Sequence, residues 1–289
     1  MIQYIAMQVS VIIPTLNAGS LLKDLLSGLL VQDPAPSEII IIDSSSEDNT
    51  RLIAEQYGTK VILLPGGTFD HGRTRNRAAA EARGDILVFM TQDALPADNH
   101  LLATLTVPFR KPSVAAAYGR HIPRPDASPL EVFARRFNYP DEPSEKCRDD
   151  IPTLGIKTFF FSNVCSAIRK ELFLEAGMFP EGIRSNEDMV IAAKLIMGGY
   201  RIAYVPGATV IHSHRTSLLR QFSRYYNIAS SLRNNRWILE HARPEGEGAR
   251  FLKEQVRFVL GQRKYAWLPY ILLESLAKYA GYRTGLLTG

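Results

Sequence analysis

Gln8-Val9-Ser10-Val11-Ile12-Ile13-Pro14 is a short β-branched run closed by proline, and Glu38-Ile39-Ile40-Ile41-Ile42-Asp43 is a second run closed by an aspartate. Short runs that are apolar at nearly every position suit strands buried on both faces of a parallel sheet. Between them Ser20 is placed to cap a helix on which Leu21, Leu22, Leu25, Leu26 and Leu29 recur at helical spacing, so that one apolar stripe lies against the sheet. The unit is βαβ. Working outward, Ser45 or Ser46 opens a second helix that ends at Gly58, Lys60 to Leu64 supplies a third strand, and an alanine-rich helix runs from about Thr74 to Gly84. Ile86 to Met90 is then a strand that delivers Thr91, Gln92 and Asp93 to its end. The alternation predicts a doubly wound, mostly parallel α/β sheet flanked by helices. Ligands of such sheets sit outside the carboxyl ends of the strands, where Asn17, Asp43 and Asp93 stand.

After Gly119 the pattern changes. Pro123, Pro125, Pro129, Pro140, Pro143 and Pro152 break up a charged stretch, which predicts a long loop or insertion over the site. Order resumes at Lys157 to Phe161, followed by a short helix from Arg169 to Ala176, a helix from Glu187 to Met197, and strands at Arg201 to Val205 and Thr209 to Ile211. The last third reads as helical, over Ser217 to His241, Glu247 to Leu260 and Ala266 to Ala280. This divides the chain into a sheet-bearing domain, 1–214, and a helical C-terminal region, 215–289, for acceptor, membrane-surface or dimer contacts.

The 289 residues are 46% hydrophobic and 22% charged, which fits a globular chain and excludes a disordered or fibrous one. Cys147 and Cys165 stand in no metal-ligand or redox spacing and read as free thiols of a reducing compartment. No secretory opening and no bilayer-length apolar run is recognisable, so the expected location is cytoplasmic. The formal charge of +5 is mild and no dense lysine run tracks a helix, which argues against nucleic acid as a partner. Basic residues from Arg215 to Arg283 alternate with Trp, Tyr and Leu. That pattern suits peripheral contact with the inner face of the cell membrane through Trp267, Leu268, Tyr270, Ile271, Leu272 and Leu276, or equally core packing or a homodimer face.

Four constellations could carry chemistry. Asp93, in Thr91-Gln92-Asp93-Ala94, is a strand-end carboxylate of the kind a hard divalent cation takes together with water and substrate phosphates, although a turn aspartate looks the same. Glu187-Asp188 opens a helix, where acidic residues favour the helix dipole and where one could also take a proton from an attacking hydroxyl. His212-Ser213-His214 follows a strand and could complete the cation's sphere or touch a diphosphate. Phe69-Asp70-His71-Gly72-Arg73-Thr74-Arg75-Asn76 feeds two arginines and a glycine turn into a helix N-terminus, a natural seat for phosphate.

Together, Val11-Ile12-Ile13-Pro14-Thr15-Leu16-Asn17, Ile41-Ile42-Asp43-Ser44-Ser45-Ser46, Gly84 to Ala94, Gly177-Met178-Phe179-Pro180-Glu181 and Asn186-Glu187-Asp188 resemble, in order and spacing, the inverting family 2 glycosyltransferases of the GT-A fold. Phe69 to Asn76, the Thr-Gln-Asp form of the metal motif and Lys278-Tyr279-Ala280-Gly281-Tyr282-Arg283 look like bacterial rhamnosyltransferases. The resemblance implies dTDP-L-rhamnose as donor and a glycan or lipid-linked glycan, such as an O-antigen, as acceptor. It further implies that Asp43 and the Pro14, Thr15 and Asn17 turn hold the nucleoside. His71, Arg75, Asn76 and Gln92 would lie along the diphosphate, and Asp188, with Glu187 second, would be the base. The family usually sets two aspartates around its metal; here Thr91 takes the first position, leaving Asp93, phosphate oxygens, water and His212 or His214 to hold Mg²⁺ or Mn²⁺. Rival readings are a nucleotidyltransferase, for which the glycine-rich phosphate loop is missing near the first strand, and a non-catalytic sugar-nucleotide binding module.

Overall fold

A computed structural model describes residues 7–214, 217–242 and 246–288; Arg215 lies outside them. The first half alternates as expected: β1 (Val9–Thr15), α1 (Gly19–Leu30), β2 (Glu38–Asp43), α2 (Thr50–Gln56), β3 (Lys60–Leu63), α3 (His71–Glu81) and β4 (Ile86–Met90). Three helix starts differ from the sequence reading. α1 begins before Ser20, with Ala18 at its cap position and no capping side chain. α2 begins only at Thr50, because Ser45 takes a left-handed φ of 62° and the Ser46 hydroxyl is committed to Asp43 at 2.5 Å. α3 begins at His71 rather than Thr74, because the Asp70 carboxylate accepts from the Arg73 amide at 2.7 Å and caps the helix there.

The second half adds β5 (Leu95–Pro96), α4 (Leu101–Thr106), β6 (Val114–Ile122), α5 (Pro129–Asn138), β7 (Ser144–Lys146), α6 (Ile151–Leu154), β8 (Cys165–Arg169), α7 (Lys170–Glu175), α8 (Glu187–Met197) and β9 (Arg201–Ile211). The proline-rich stretch is therefore not a bare loop. Pro129 sits in the first turn of α5, where no amide proton is needed, and the Ser128 hydroxyl accepts from the Glu131 amide to cap it. Lys157 to Phe161 is mostly a 3₁₀ turn, and the strand pairing there is made by β8, which the sequence reading did not find. The two strands expected at 201–205 and 209–211 are one strand, β9, with a register shift opposite Gly119 and Arg120.

One nine-stranded sheet results, in the order β3-β2-β1-β4-β8-β6-β9-β5, with β7 also on β9. β3, β2, β1 and β4 run parallel; β8 then inserts antiparallel between β4 and β6. Alternation along the strands splits the core between the two faces: Ile12, Ile40 and Phe89 pack on one side, and Val11, Ile13, Ile41 and Val88 on the other. Beyond β9 come α9 (Leu218–Asn234), α10 (Arg236–His241), α11 (Glu247–Gly261) and α12 (Leu268–Thr288). Leu232, Ile238 and Ala242 join the core on the Ile12 face of the sheet, and Phe133 of α5 stacks on Phe251 and Phe258 of α11. α12 lies close along α9: a Cβ at Gly281 or Gly285 would collide with the carbonyl oxygen of Phe222 or Tyr226. No helix among the described residues is long and apolar enough to cross a membrane.

Candidate active site

The carboxyl ends of the strands carry two polar clusters. At the ends of β1 and β2 the fully buried Asp43 accepts hydrogen bonds from Thr15 Oγ1 (3.0 Å), from the Ser46 amide (2.9 Å) and hydroxyl, and from Arg51 Nε (3.0 Å). Burial alone would raise its pKa, but these donors outweigh it and the carboxyl is held below its ordinary value. Asn17, at a left-handed φ of 48°, accepts from the Glu47 amide through Oδ1 (2.9 Å), and its own amide donates to Ser46 Oγ (2.8 Å). Gln92 ties this cluster to β4: its Oε1 accepts from the Leu16 amide (2.8 Å) and its Nε2 donates to the Leu16 carbonyl (3.2 Å). Pro14 and Thr15 are themselves buried in β1. Asp43 and Gln92 thus fix the shape of this wall, because their polar atoms are occupied by protein partners.

Beside it a cleft of about 480 Å³ is lined by Asp93, Asp188, Glu187, His71, Arg75, His212 and His214. Asp93 follows the end of β4 and the two histidines the end of β9, whereas His71 and Arg75 lie on α3 and Glu187 and Asp188 open α8. Asp93 and Asp188, the pair on which the sequence reading turns, therefore face one space. Asp93 Oδ2 lies 3.5 Å from His212 Nε2 and 3.3 Å from His214 Nε2. Burial would raise the Asp93 pKa, yet the hydrogen bond from His212 first, with the Thr91 hydroxyl and the neighbouring His214, brings it down to about 2. Ligand atoms of Asp93, His212 and His214 lie within 4.8 Å of one another, so the set fits a divalent cation.

Arg135 of α5 separates the two imidazoles chemically. Its Nη2 lies 3.1 Å from His212 Nδ1, and a guanidinium only donates. His212 Nδ1 must then be the acceptor, which puts the ring proton on Nε2, facing Asp93. A metal-binding histidine normally shows the opposite arrangement, with its second nitrogen donating outward. His214, 56% exposed at its side chain, carries no such constraint.

At α8 the two carboxylates are unlike. Glu187 is buried and its Oε1 accepts from Arg75 Nη1 (3.2 Å) and Asn163 Nδ2 (3.3 Å). Among the described residues Asp188 accepts from the backbone amides of Met189 (2.8 Å) and Asn163 (3.3 Å) and from no side chain. Burial first, and the Glu187 charge second, push the Asp188 carboxyl up to about 7. A group titrating near neutrality at the wall of a cleft is suited to proton transfer.

Two residues of the phosphate segment are placed differently from the sequence expectation. Arg75 reaches the cleft, but its charge is spent on Glu187 and its Nη1 also donates to the His71 carbonyl (3.0 Å), so it braces α8 rather than presenting a free cation. Asn76 turns into the fold, donating to the Phe179 carbonyl (2.9 Å) and accepting from the Phe179 amide (3.1 Å). Gly72 makes that approach possible, because a Cβ there would run into the Pro180 carbonyl. His71 does line the cleft, and burial lowers its pKa, so the ring is neutral. Asn163, Arg135, Arg184 and Arg224 also line the cleft and went unread in the sequence. Asn163 precedes β8, a strand without a clear hydropathy signal, and Arg135 sits on the helix that the prolines concealed.

Residues 10–177 match the model of the Glycosyl transferase family 2 domain. The chain belongs to that family. This family 2 enzyme is a glycosyltransferase, which sets aside the nucleotidyltransferase and the non-catalytic binding module. It is 41% identical to the O-antigen chain rhamnosyltransferase WbaN of Salmonella anatum over 96% of this chain and 88% of that one. It is 39% identical to the O-antigen chain rhamnosyltransferase RfbN of Salmonella typhimurium, over 96% of this chain and 90% of that one. Its fold is shared with the mannosyltransferase PcManGT from Pyrobaculum calidifontis, solved with GDP-Man and Mn²⁺ (TM-score 0.64, 19% identity, 98% of this chain and 87% of that one). It is likewise shared with Staphylococcus aureus TarS 1-349 in complex with UDP-GlcNAc (TM-score 0.57, 17% identity, 98% and 91%).

Proposed function

We propose that this family 2 glycosyltransferase transfers L-rhamnose from dTDP-L-rhamnose to a hydroxyl of an O-antigen chain or its lipid-linked precursor, with inversion at the anomeric carbon. The observation that carries the mechanism is the shared cleft: Asp188, raised to about 7, on one wall and the Asp93 and histidine cluster on another. The names and coverage of the Salmonella relatives support the sugar and the acceptor.

In this reading Asp188 accepts the proton of the acceptor hydroxyl while that oxygen forms the new bond to the sugar and the bond to the diphosphate oxygen breaks. Glu187 is unsuited to that task, since Arg75 and Asn163 already hold its charge. Asp93 and His214 would hold a cation, Mg²⁺ or Mn²⁺, which when bound would neutralise the negative charge that grows on the departing diphosphate. His212, with its proton on Nε2, orients Asp93. Arg224, which has no ion-pair partner among the described residues, presents a further positive charge to the cleft. A single displacement with Asp188 as the one base would invert the anomeric carbon. The test is transfer from dTDP-L-rhamnose by purified protein with Mn²⁺. Asp188→Asn is expected to lose on the order of 10²–10⁴-fold in turnover while still binding donor, and full activity of that variant would remove Asp188 from the role.

A further inference from the structure

α12 is amphipathic in reverse. The side that meets α9 holds Glu274, Lys278 and the two glycines, with Glu274 accepting from Gln221 Nε2 at 2.6 Å and paired with Lys278 at 3.2 Å. The side that faces solvent holds Leu272, Leu273, Leu276, Tyr279 and Leu287, each between 51% and 72% exposed and recurring at helical spacing. Trp267, Leu268, Tyr270 and Ile271, which the sequence groups with them, instead pack inward around Val259 and Leu130. Single exposed leucines need no explanation, but an apolar stripe along a 21-residue helix marks a surface that meets something.

Charge decides what. From Gln255 to Thr288 the sequence contains one carboxylate, Glu274, and it is buried. The same stretch exposes Arg263, Lys264 and Arg283, whereas the exposed Arg257 is already paired with Glu254 at 2.6 Å. A second copy docked about a twofold axis would bring Arg263, Lys264 and Arg283 against themselves, with no exposed acid among the described residues after Glu254 to answer them. An anionic lipid surface answers both features, taking the leucines at the acyl boundary and the basic residues at the headgroups.

We infer that α12 docks in the plane of an anionic bilayer through Leu272, Leu273, Leu276, Tyr279 and Leu287. α9 makes both contacts, since its Gln221, Arg224 and Ile228 line the cleft while Gln221 also donates to Glu274 of α12 and the Phe222 and Tyr226 carbonyls meet the α12 glycines. α12 and α9, each roughly 10 Å across, both lie between the docked face and that wall.

The experiment is co-sedimentation of the full chain with phosphatidylcholine vesicles, with and without phosphatidylglycerol. Binding is expected with phosphatidylglycerol only, and it weakens as salt is raised. The triple variant Leu272→Gln, Leu276→Gln, Tyr279→Gln is expected to bind about tenfold more weakly or less. All three positions are open to solvent, so its circular dichroism should be unchanged. Leu63→Gln, an exposed apolar residue on β3 at the far edge of the sheet, should bind like the parent. Unaltered binding by the triple variant overturns the proposal. So does equal binding to neutral vesicles, or a parent dimer in sedimentation velocity that the triple variant dissolves without any vesicle binding. No sugar donor is involved, so failure here leaves the transferase reading standing.

Discussion

Asp43 and Asp188 are the same side chain at the two ends of one strand-end surface, and their surroundings drive them apart. Asp43 is wholly buried yet surrounded by donors from Thr15, Ser46 and Arg51, and its pKa falls. Asp188 is desolvated beside the Glu187 charge, which the Met189 and Asn163 amides and the Arg75 charge only partly offset, and its pKa rises to about 7. Desolvation opposes the charged form of both, and at Asp188 a neighbouring carboxylate adds to it. What separates a carboxylate that shapes a wall from one that can move a proton is the balance between that opposition and the donors that favour its charged form.

The widest effect expected from this contrast is in pH dependence. Asp188 acts only when ionised, so kcat/KM should fall about tenfold per unit below pH 7, reaching roughly a hundredfold at pH 5. A rate profile flat from pH 5 to 8 would mean that Asp188 is not the base. Stability should separate the two residues next. The depressed Asp43 contributes stability above its unfolded pKa of 3.8, lost as pH falls through the lower folded value. At pH 8 Asp43→Asn should therefore cost about 2 kcal/mol in urea unfolding, because its amide would turn a donor toward the donors that now surround the carboxylate. For Asp188 the sign reverses: a raised folded pKa means stability is lost as pH rises from 3.8 toward 7, so Asp188→Asn should be no less stable than the parent at pH 8. Equal losses in the two variants would erase the distinction. The smallest effect concerns the histidines. His214→Ala should weaken Mn²⁺ binding, read by calorimetry without donor, about tenfold or more, and His212→Ala distinctly less. The reverse ranking would show that Arg135 does not set the His212 proton.

The legibility of the chain follows the same divide. β1 to β4 were readable because each βαβ unit is local and its strands are strongly apolar. β6 and β8 were not, since Val114-Ala115-Ala116-Ala117 and Cys165-Ser166-Ala167 are small-residue strands whose place is set by neighbours distant in sequence. Asp93, Asp188 and the histidines could be named from motif order. That Glu187 is locked by Arg75, and that Arg135 orients His212, depends on contacts across 112 and 77 residues, which no local pattern encodes.

That long reach has a consequence for how the protein comes into being. A chain emerging from the ribosome offers Arg75 early, but its partner on α8 arrives only after β8, which must thread between β4 and the already synthesised β6. The nascent amino-terminal half can build parallel strands, whereas the reaction centre needs α8 and the residues after β9, so an incomplete product lacks Asp188 and both histidines.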